Sequence, residues 1–214
     1  MALAFGWNAF VEGAHIDWQL VSHSTTFVYL GADSVYLSAE ADARRVKLWV
    51  GPYWSLTSAD DPEGQAKAFL DRCNGFTTSS LPPAVFLSKA EHLPALKRMV
   101  EALEKAQKKR VLIGGTPKSL KRAGLIFGRS NPLWISHKPV FGGPTIPVGW
   151  ESFAVWQTET SGQVKGVDSK VGYNGAQDSF LDPGKTKRIA VGLGALAVVG
   201  VGLYLSQTTK KKEV

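Results

Sequence analysis

The feature that most constrains this chain is the regular alternation of short apolar runs with longer amphipathic stretches. Residues 6–10, 26–30, 46–50, 84–87, 111–113, 133–135 and 153–157 are brief, rich in β-branched or aromatic side chains, and bounded by Gly, Pro or Ser. Runs of that length and make-up are expected to be buried strands. Between them, 63–73 and 92–109 are expected to be helices. In the second, Leu96, Met99, Val100, Leu103 and Ala106 fall on one face, while Glu101 with Lys105 and Glu104 with Lys108 are spaced to pair on the other. Strand–helix alternation points to a parallel α/β sheet. Such a sheet is open or closed; strand-like runs at both ends of the series favour closure, so the expected fold class is α/β, a TIM-like β/α barrel. The glycine- and proline-rich stretch 138–147 is expected on the surface, and Gly114-Gly115-Thr116-Pro117-Lys118, which lacks the GxxxxGK[ST] spacing, as a plain strand-to-turn.

A second feature lies at the C-terminus. Residues 189–205, opening at Ile189, passing Gly194 and Gly200 and closing at Leu205, carry no charge. Lys185, Lys187 and Arg188 precede the run, and Lys210, Lys211 and Lys212 follow it. As a helix it would reach about 25 Å, slightly short of a bilayer core of roughly 30 Å, a deficit that flanking lysines can make up. The expectation is a single C-terminal transmembrane helix. The domain plan is then a barrel at 1–181, a linker at 182–188, the span at 189–205 and a basic tail at 206–214. Nothing basic precedes the apolar residues of 1–10, which argues against a secretory signal and for a tail anchor with the lipid bilayer as partner.

Charge tests one alternative. The formal net charge is +7, but six Lys/Arg and one Glu lie from Pro183 onward, leaving 19 Lys/Arg against 17 Asp/Glu before it. The excess thus belongs to the C-terminal flanks, where it suits anionic head groups, and no nucleic-acid partner is expected. Cys73 is the only cysteine, which excludes an intramolecular disulfide, and it is expected to be a small buried residue. His15, His23, His92 and His137 lack metal-ligand spacing, so neither metal nor cofactor is expected.

Three stretches carry a family resemblance. The first is Phe5-Gly6-Trp7-Asn8-Ala9-Phe10 with His15-Ile16-Asp17-Trp18 and Thr26-Phe27-Val28-Tyr29-Leu30. The second is Val50-Gly51-Pro52-Tyr53-Trp54, then Gln65-Ala66 and Leu81-Pro82-Pro83-Ala84-Val85. The third is Pro132-Leu133-Trp134-Ile135-Ser136 followed by Trp156-Gln157, Ser161-Gly162-Gln163-Val164, Gly166-Val167-Asp168 and Asn174. In order and spacing these resemble the family-25 glycoside hydrolases, the Chalaropsis-type lysozymes that cut peptidoglycan, over roughly residues 5 to 180. The resemblance implies an irregular β/α barrel with catalytic carboxylates at the C-terminal ends of its strands.

Carried over position by position, those carboxylates are missing. The family aspartate of G-I-D-V-S falls on Asn8, the Asp-x-Glu pair after Leu-Pro-Pro on Phe86 and Ser88, and the late aspartate on Gly172. Two groove tyrosines fall on Gly114 and Thr158, while Tyr53, Trp134 and Trp156 remain as candidate glycan-binding residues. Neither phenylalanine nor serine at its ordinary pKa can serve as a general acid. Together with the apolar C-terminal run, the resemblance implies a membrane-anchored, catalytically inactive lysozyme-like protein with a structural or cell-wall glycan-recognition role. Lysozyme-like domains of this kind are common in bacteriophages, which implies a virion setting with capsid proteins as partners. The alternative is an active tethered muramidase using displaced acids, for which Glu91, three residues after Ser88, is the fallback.

Overall fold

The computed structural model describes residues 3–138 and 141–181. Within them the chain runs β1 (Leu3–Ala9), α1 (Trp18–Ser22), β2 (Phe27–Gly31), α2 (Tyr36–Arg45), β3 (Trp49–Leu56), α3 (Pro62–Arg72), β4 (Ala84–Leu87), α4 (Leu93–Gln107), β5 (Leu112–Gly115), α5 (Gly124–Phe127), β6 (Leu133–Ser136), β7 (Val155–Gly162), β8 (Val171–Gln177) and α6 (Asp178–Leu181). The strands close into a barrel in sequence order. β1 to β7 pair as parallel neighbours, whereas β8 runs antiparallel to both β7 and β1. The last strand thus returns by a hairpin and not by a helical crossover, which is where the barrel departs from a regular eightfold β/α repeat.

The pleat sorts side chains into two shells. Phe27, Tyr29, Tyr53, Ala84, Leu112, Trp134, Val155 and Ala176 point inward and fill the barrel. Their alternates Val28, Leu30, Val50, Val85, Leu87, Ile113, Leu133 and Ile135 point outward into the layer under the helices. Strands buried on both faces read as continuous apolar runs, which is why they stood out in the sequence. α4 presents Ala95, Leu96, Met99, Val100 and Leu103 to the outer layer, but Ala106 is exposed where the helix ends. Its expected Glu104–Lys108 pair does not form. Lys108 takes a left-handed conformation that ends the helix, and Glu104 instead accepts hydrogen bonds from the Val111 amide at 3.0 Å and Asn131 Nδ2 at 2.7 Å. Glu101 faces Lys97 at 3.8 Å. Cys73 is fully buried behind α3, as expected.

Local signals set the start of α3. Asp61 is its N-cap, with Oδ1 accepting from the Gly64 amide at 2.9 Å, and Pro62 occupies the first turn. Asp61 has φ +42°, a region asparagine tolerates and alanine does not. Asp61→Ala is expected to lower stability by about 1–2 kcal/mol and Asp61→Asn by only a few tenths, read from urea midpoints. Equal losses would show that the cap does not set the helix.

The membrane part of the expected architecture is corrected. Among the described residues no helix is long and apolar enough to cross a bilayer. The longest, α4, has 15 residues, about 22 Å, and carries exposed Lys97, Arg98 and Glu101 on one side. The expected linker 182–188, span 189–205 with Ile189, Gly194, Gly200 and Leu205, and tail 206–214 lie outside the described residues. The described residues form the closed barrel.

Candidate functional site

The C-terminal ends of the parallel strands form one mouth of the barrel, where chemistry in such folds is placed. Two of the positions singled out in the sequence lie side by side there, because β1 and β8 pair Asn8 with Gly172. Asn8 Oδ1 accepts from Gln157 Nε2 at 2.8 Å and from Asn174 Nδ2 at 2.9 Å. The strand-end chemistry is therefore a web of three uncharged amides. A Cβ at Gly172 would sit 2.1 Å from Gln157 Nε2 and 2.4 Å from Asn8 Oδ1, so the web occupies the space a side chain at 172 would need.

The second pair is Phe86 and Gly114, neighbours in the β4–β5 register. The Phe86 ring lies over the bare glycine, and a Cβ at Gly114 would come within 2.4 Å of it. The ring also meets Trp134, the register partner of Gly114 on β6, edge-on, with centroids 5.8 Å apart. Trp134 also contacts Tyr29 at 4.8 Å and Tyr53 at 6.0 Å, so four rings plug the upper barrel. Phe10, half exposed, tilts over Tyr53 at 5.0 Å and closes the stack from above. Trp134 has no exposed surface and Tyr53 very little. Burial pushes the Tyr53 phenol up, against a lowering contact from Asn8, so it stays protonated at neutral pH.

Other residues of interest are dispersed. Ser88 is exposed just past β4, and Glu91 is exposed in the short 3-10 turn leading into α4. Trp156 is half-buried, packs against Phe153 on the outer side of β7, and donates from Nε1 to the His137 carbonyl at 2.7 Å. The three aromatic candidates are thus divided. Tyr53 and Trp134 share the plug, and Trp156 faces away from it.

Three acids near the mouth are already engaged. Asp33, buried beyond β2, accepts from the amides of Val11, Glu12 and Val35, each at 3.1 Å, and so knits the loops after β1 and β2. Glu12 accepts from Ser34. Glu159, which the motif pattern did not single out, follows a bulge in β7 and is hydrogen-bonded to Lys138. That ammonium holds its carboxyl below the usual range, so Glu159 is ionised at neutral pH and has no proton to deliver. Nothing in the spacing of residues 156–160 could have located it, because the bulge breaks the two-residue alternation.

Volumes agree with a plugged mouth. The cleft over Ser136, Gln157 and Glu159 holds about 90 Å³, well below the roughly 300 Å³ at which small-molecule sites begin. Beside it, Lys138, Phe141, Trp156, Thr158, Glu159 and Tyr173 line an open cleft of about 400 Å³. A larger hollow, about 820 Å³, is at the opposite end, among Arg129, Leu133, Trp150, Ala154 and Gln177. Size alone would favour it, but it is remote from the strand ends where the amides and aromatics converge.

This barrel, with its helix-less return strand, has the fold of the family-25 glycoside hydrolase lysozymes. The structure is similar to a bacterial lysozyme from Streptomyces coelicolor, with TM-score 0.72 and 19% identity over 83% of this chain and 95% of that one. It is also similar to a family 25 glycosyl hydrolase from Bacillus anthracis, with TM-score 0.66 and 21% identity over 83% and 92% of the two chains. The catalytic domain of the endolysin ply40 from bacteriophage P40 of Listeria monocytogenes gives TM-score 0.68 and 12% identity over 85% and 96%. At such identities the likeness establishes the fold. The sequence matches no family model and no curated protein.

Proposed function

We propose that the protein is a glycan-recognition or structural component on a lysozyme-like barrel, and that it does not hydrolyse glycosidic bonds. The observation that carries this reading is the chemistry of the strand ends. Glycoside hydrolysis by the usual route requires one carboxyl to give a proton and a second carboxylate opposite it. Here Asn8 accepts from two amide side chains, Phe86 lies over Gly114, and Gly172 offers no side chain. Asp33 and Glu159 are tied to other partners.

Glycan recognition is supported by the cleft beside the mouth. Trp156, Tyr173 and Phe141 supply aromatic surface, and Thr158, Lys138 and Glu159 supply hydrogen-bonding groups, in a volume that suits a saccharide. The names of the similar structures, lysozyme and endolysin among them, make peptidoglycan the first glycan to test. The bacteriophage source of one supports a virion setting, with capsid proteins as neighbours.

The test has two arms. A zymogram on purified peptidoglycan is expected to show no clearing beside an active lysozyme. In a pull-down on insoluble cell wall, Trp156→Ala and the fully surface-placed Phe141→Ala are expected to lower retention roughly three- to tenfold. Clearing of the zymogram overturns the inactive reading, and equal retention of the parent and both variants overturns recognition through this cleft.

A further inference from the structure

The segment from Lys105 to Trp150 contains nine Lys/Arg and no Asp or Glu. All nine cations are exposed. Among the described residues only Arg110 and Lys138 have a carboxylate within 4.0 Å. Glu104, at the edge of this sector, is taken up by Arg110, the Val111 amide and Asn131, and exposed Glu151 follows Trp150, so the sector carrying β5 and β6 presents a large excess of positive charge.

Three exposed aliphatic side chains occur inside this sector. Leu125 is 75% exposed, Val148 73% and Ile126 44%. Lys121, Arg122 and Arg129 flank them along the chain. Two segments distant in sequence hold them together. A Cβ at Gly124 would lie 1.9 Å from the Val148 carbonyl, so the two backbones are in direct contact. Gly149, at φ +103°, packs its backbone against Gly124 and Gly128, a conformation and approach that only glycine supplies. Beneath, Phe127 is buried, and Trp150 donates from Nε1 to the Asn131 carbonyl at 2.8 Å. The aliphatic residues therefore stand on a braced base.

We propose that this knob is a peripheral docking surface for an anionic lipid bilayer. Leu125, Ile126 and Val148 enter the boundary between head groups and acyl chains, and Lys121, Arg122 and Arg129 face the lipid phosphates. The shape and the charge select this occupant together. Protruding aliphatic side chains need no complementary pocket in a bilayer, whereas protein interfaces are anchored by aromatic and Arg side chains fitted into pockets. A nucleic acid would answer the cations but gains its stacking from aromatic faces, not from Leu, Ile or Val. Basic residues beside an apolar insertion are the pairing that negatively charged leaflets reward. The surface is peripheral, involves no spanning helix, and is independent of the glycan cleft.

The experiment uses the full chain as Val148→Cys, labelled with a polarity-sensitive fluorophore; Cys73 is fully buried and escapes labelling. Vesicles of phosphatidylcholine alone are compared with vesicles about one-third phosphatidylglycerol, a composition that sets a negative surface potential. The expected result is a blue shift with the anionic vesicles only, quenched by lipids brominated on their acyl chains and weakened by salt. Lys121→Glu with Arg122→Glu is expected to lower the partition coefficient roughly tenfold or more, and Leu125→Ser to weaken it without removing the salt dependence. The label reports its own surroundings, so adsorption through any other part of the chain leaves it silent, and silence overturns the proposal. So does a shift that appears on raising protein concentration without vesicles, or with duplex DNA and not with vesicles.

Discussion

Trp134→Ala is expected to lower the thermal midpoint by about 6–20 °C. The indole is fully buried and touches Tyr29, Tyr53 and Phe86, so its removal deletes the hub of the upper barrel. Large-to-small changes at such sites cost roughly 3–5 kcal/mol, and a chain of this size moves by about 2–4 °C per kcal/mol. Trp134 Nε1 has no hydrogen-bond partner among the described residues. Trp134→Phe therefore forfeits volume and no hydrogen bond, and its loss is expected to be well under half that of alanine. Calorimetry on the two variants checks both statements. A fall of only a degree or two for Trp134→Ala would mean that the four rings do not support the barrel, and would undermine the view of the mouth as a plug.

The second large effect is a coupling. Gly114→Ala places a methyl group 2.4 Å from the Phe86 ring, which is also packed edge-on against Trp134. The overpacking is expected to cost about 1–3 kcal/mol. In a Phe86→Ala background, itself destabilised by about 3 kcal/mol, the same change meets no ring and is expected to be near neutral. The double-mutant cycle should then return an interaction of about 1–3 kcal/mol, as residues in direct contact do. Additive losses, read from urea unfolding of the four proteins, would show that the ring does not rest on Gly114.

Much of this was legible beforehand. The inner strands declared themselves because burial on both faces leaves an uninterrupted apolar run, as in 84–87 and 133–135. β3 was placed too early because Gly51 and Pro52 looked like a break. In the structure both are inside the strand, and Gly51 lets the Tyr29 ring approach, a Cβ there falling 2.5 Å from it. α2 is hard to find in the sequence because half of its buried face is alanine, Ala39 and Ala43 beside Tyr36 and Glu40, and carries little hydrophobic contrast. β8, with Gly172 and Gly175 in seven residues, lacks the usual strand composition; pairing on both sides makes it a strand.

For the site, that Asn8, Phe86, Ser88 and Gly172 stand where the resembled family carries carboxylates is what the resemblance implies. What takes the carboxylates' place could not be read beforehand. The amide web depends on Gln157 and Asn174 meeting Asn8 across the closure of the barrel, and the seating of Phe86 depends on a register that brings residue 114 alongside. Glu159 was hidden by a bulge, and the braced aliphatic knob by a contact between segments more than twenty residues apart.

The pairing of Asn8 with Gly172 and of Phe86 with Gly114 has a consequence for anyone wishing to graft new side chains onto these strand ends. On each rung, one member's bulk fills what the other lacks. Grafting aspartate at 172 alone drives it into the amides, and grafting tyrosine at 114 alone drives it into a ring. The rungs behave as interlocked units, so the engineering step is the rung and not the residue.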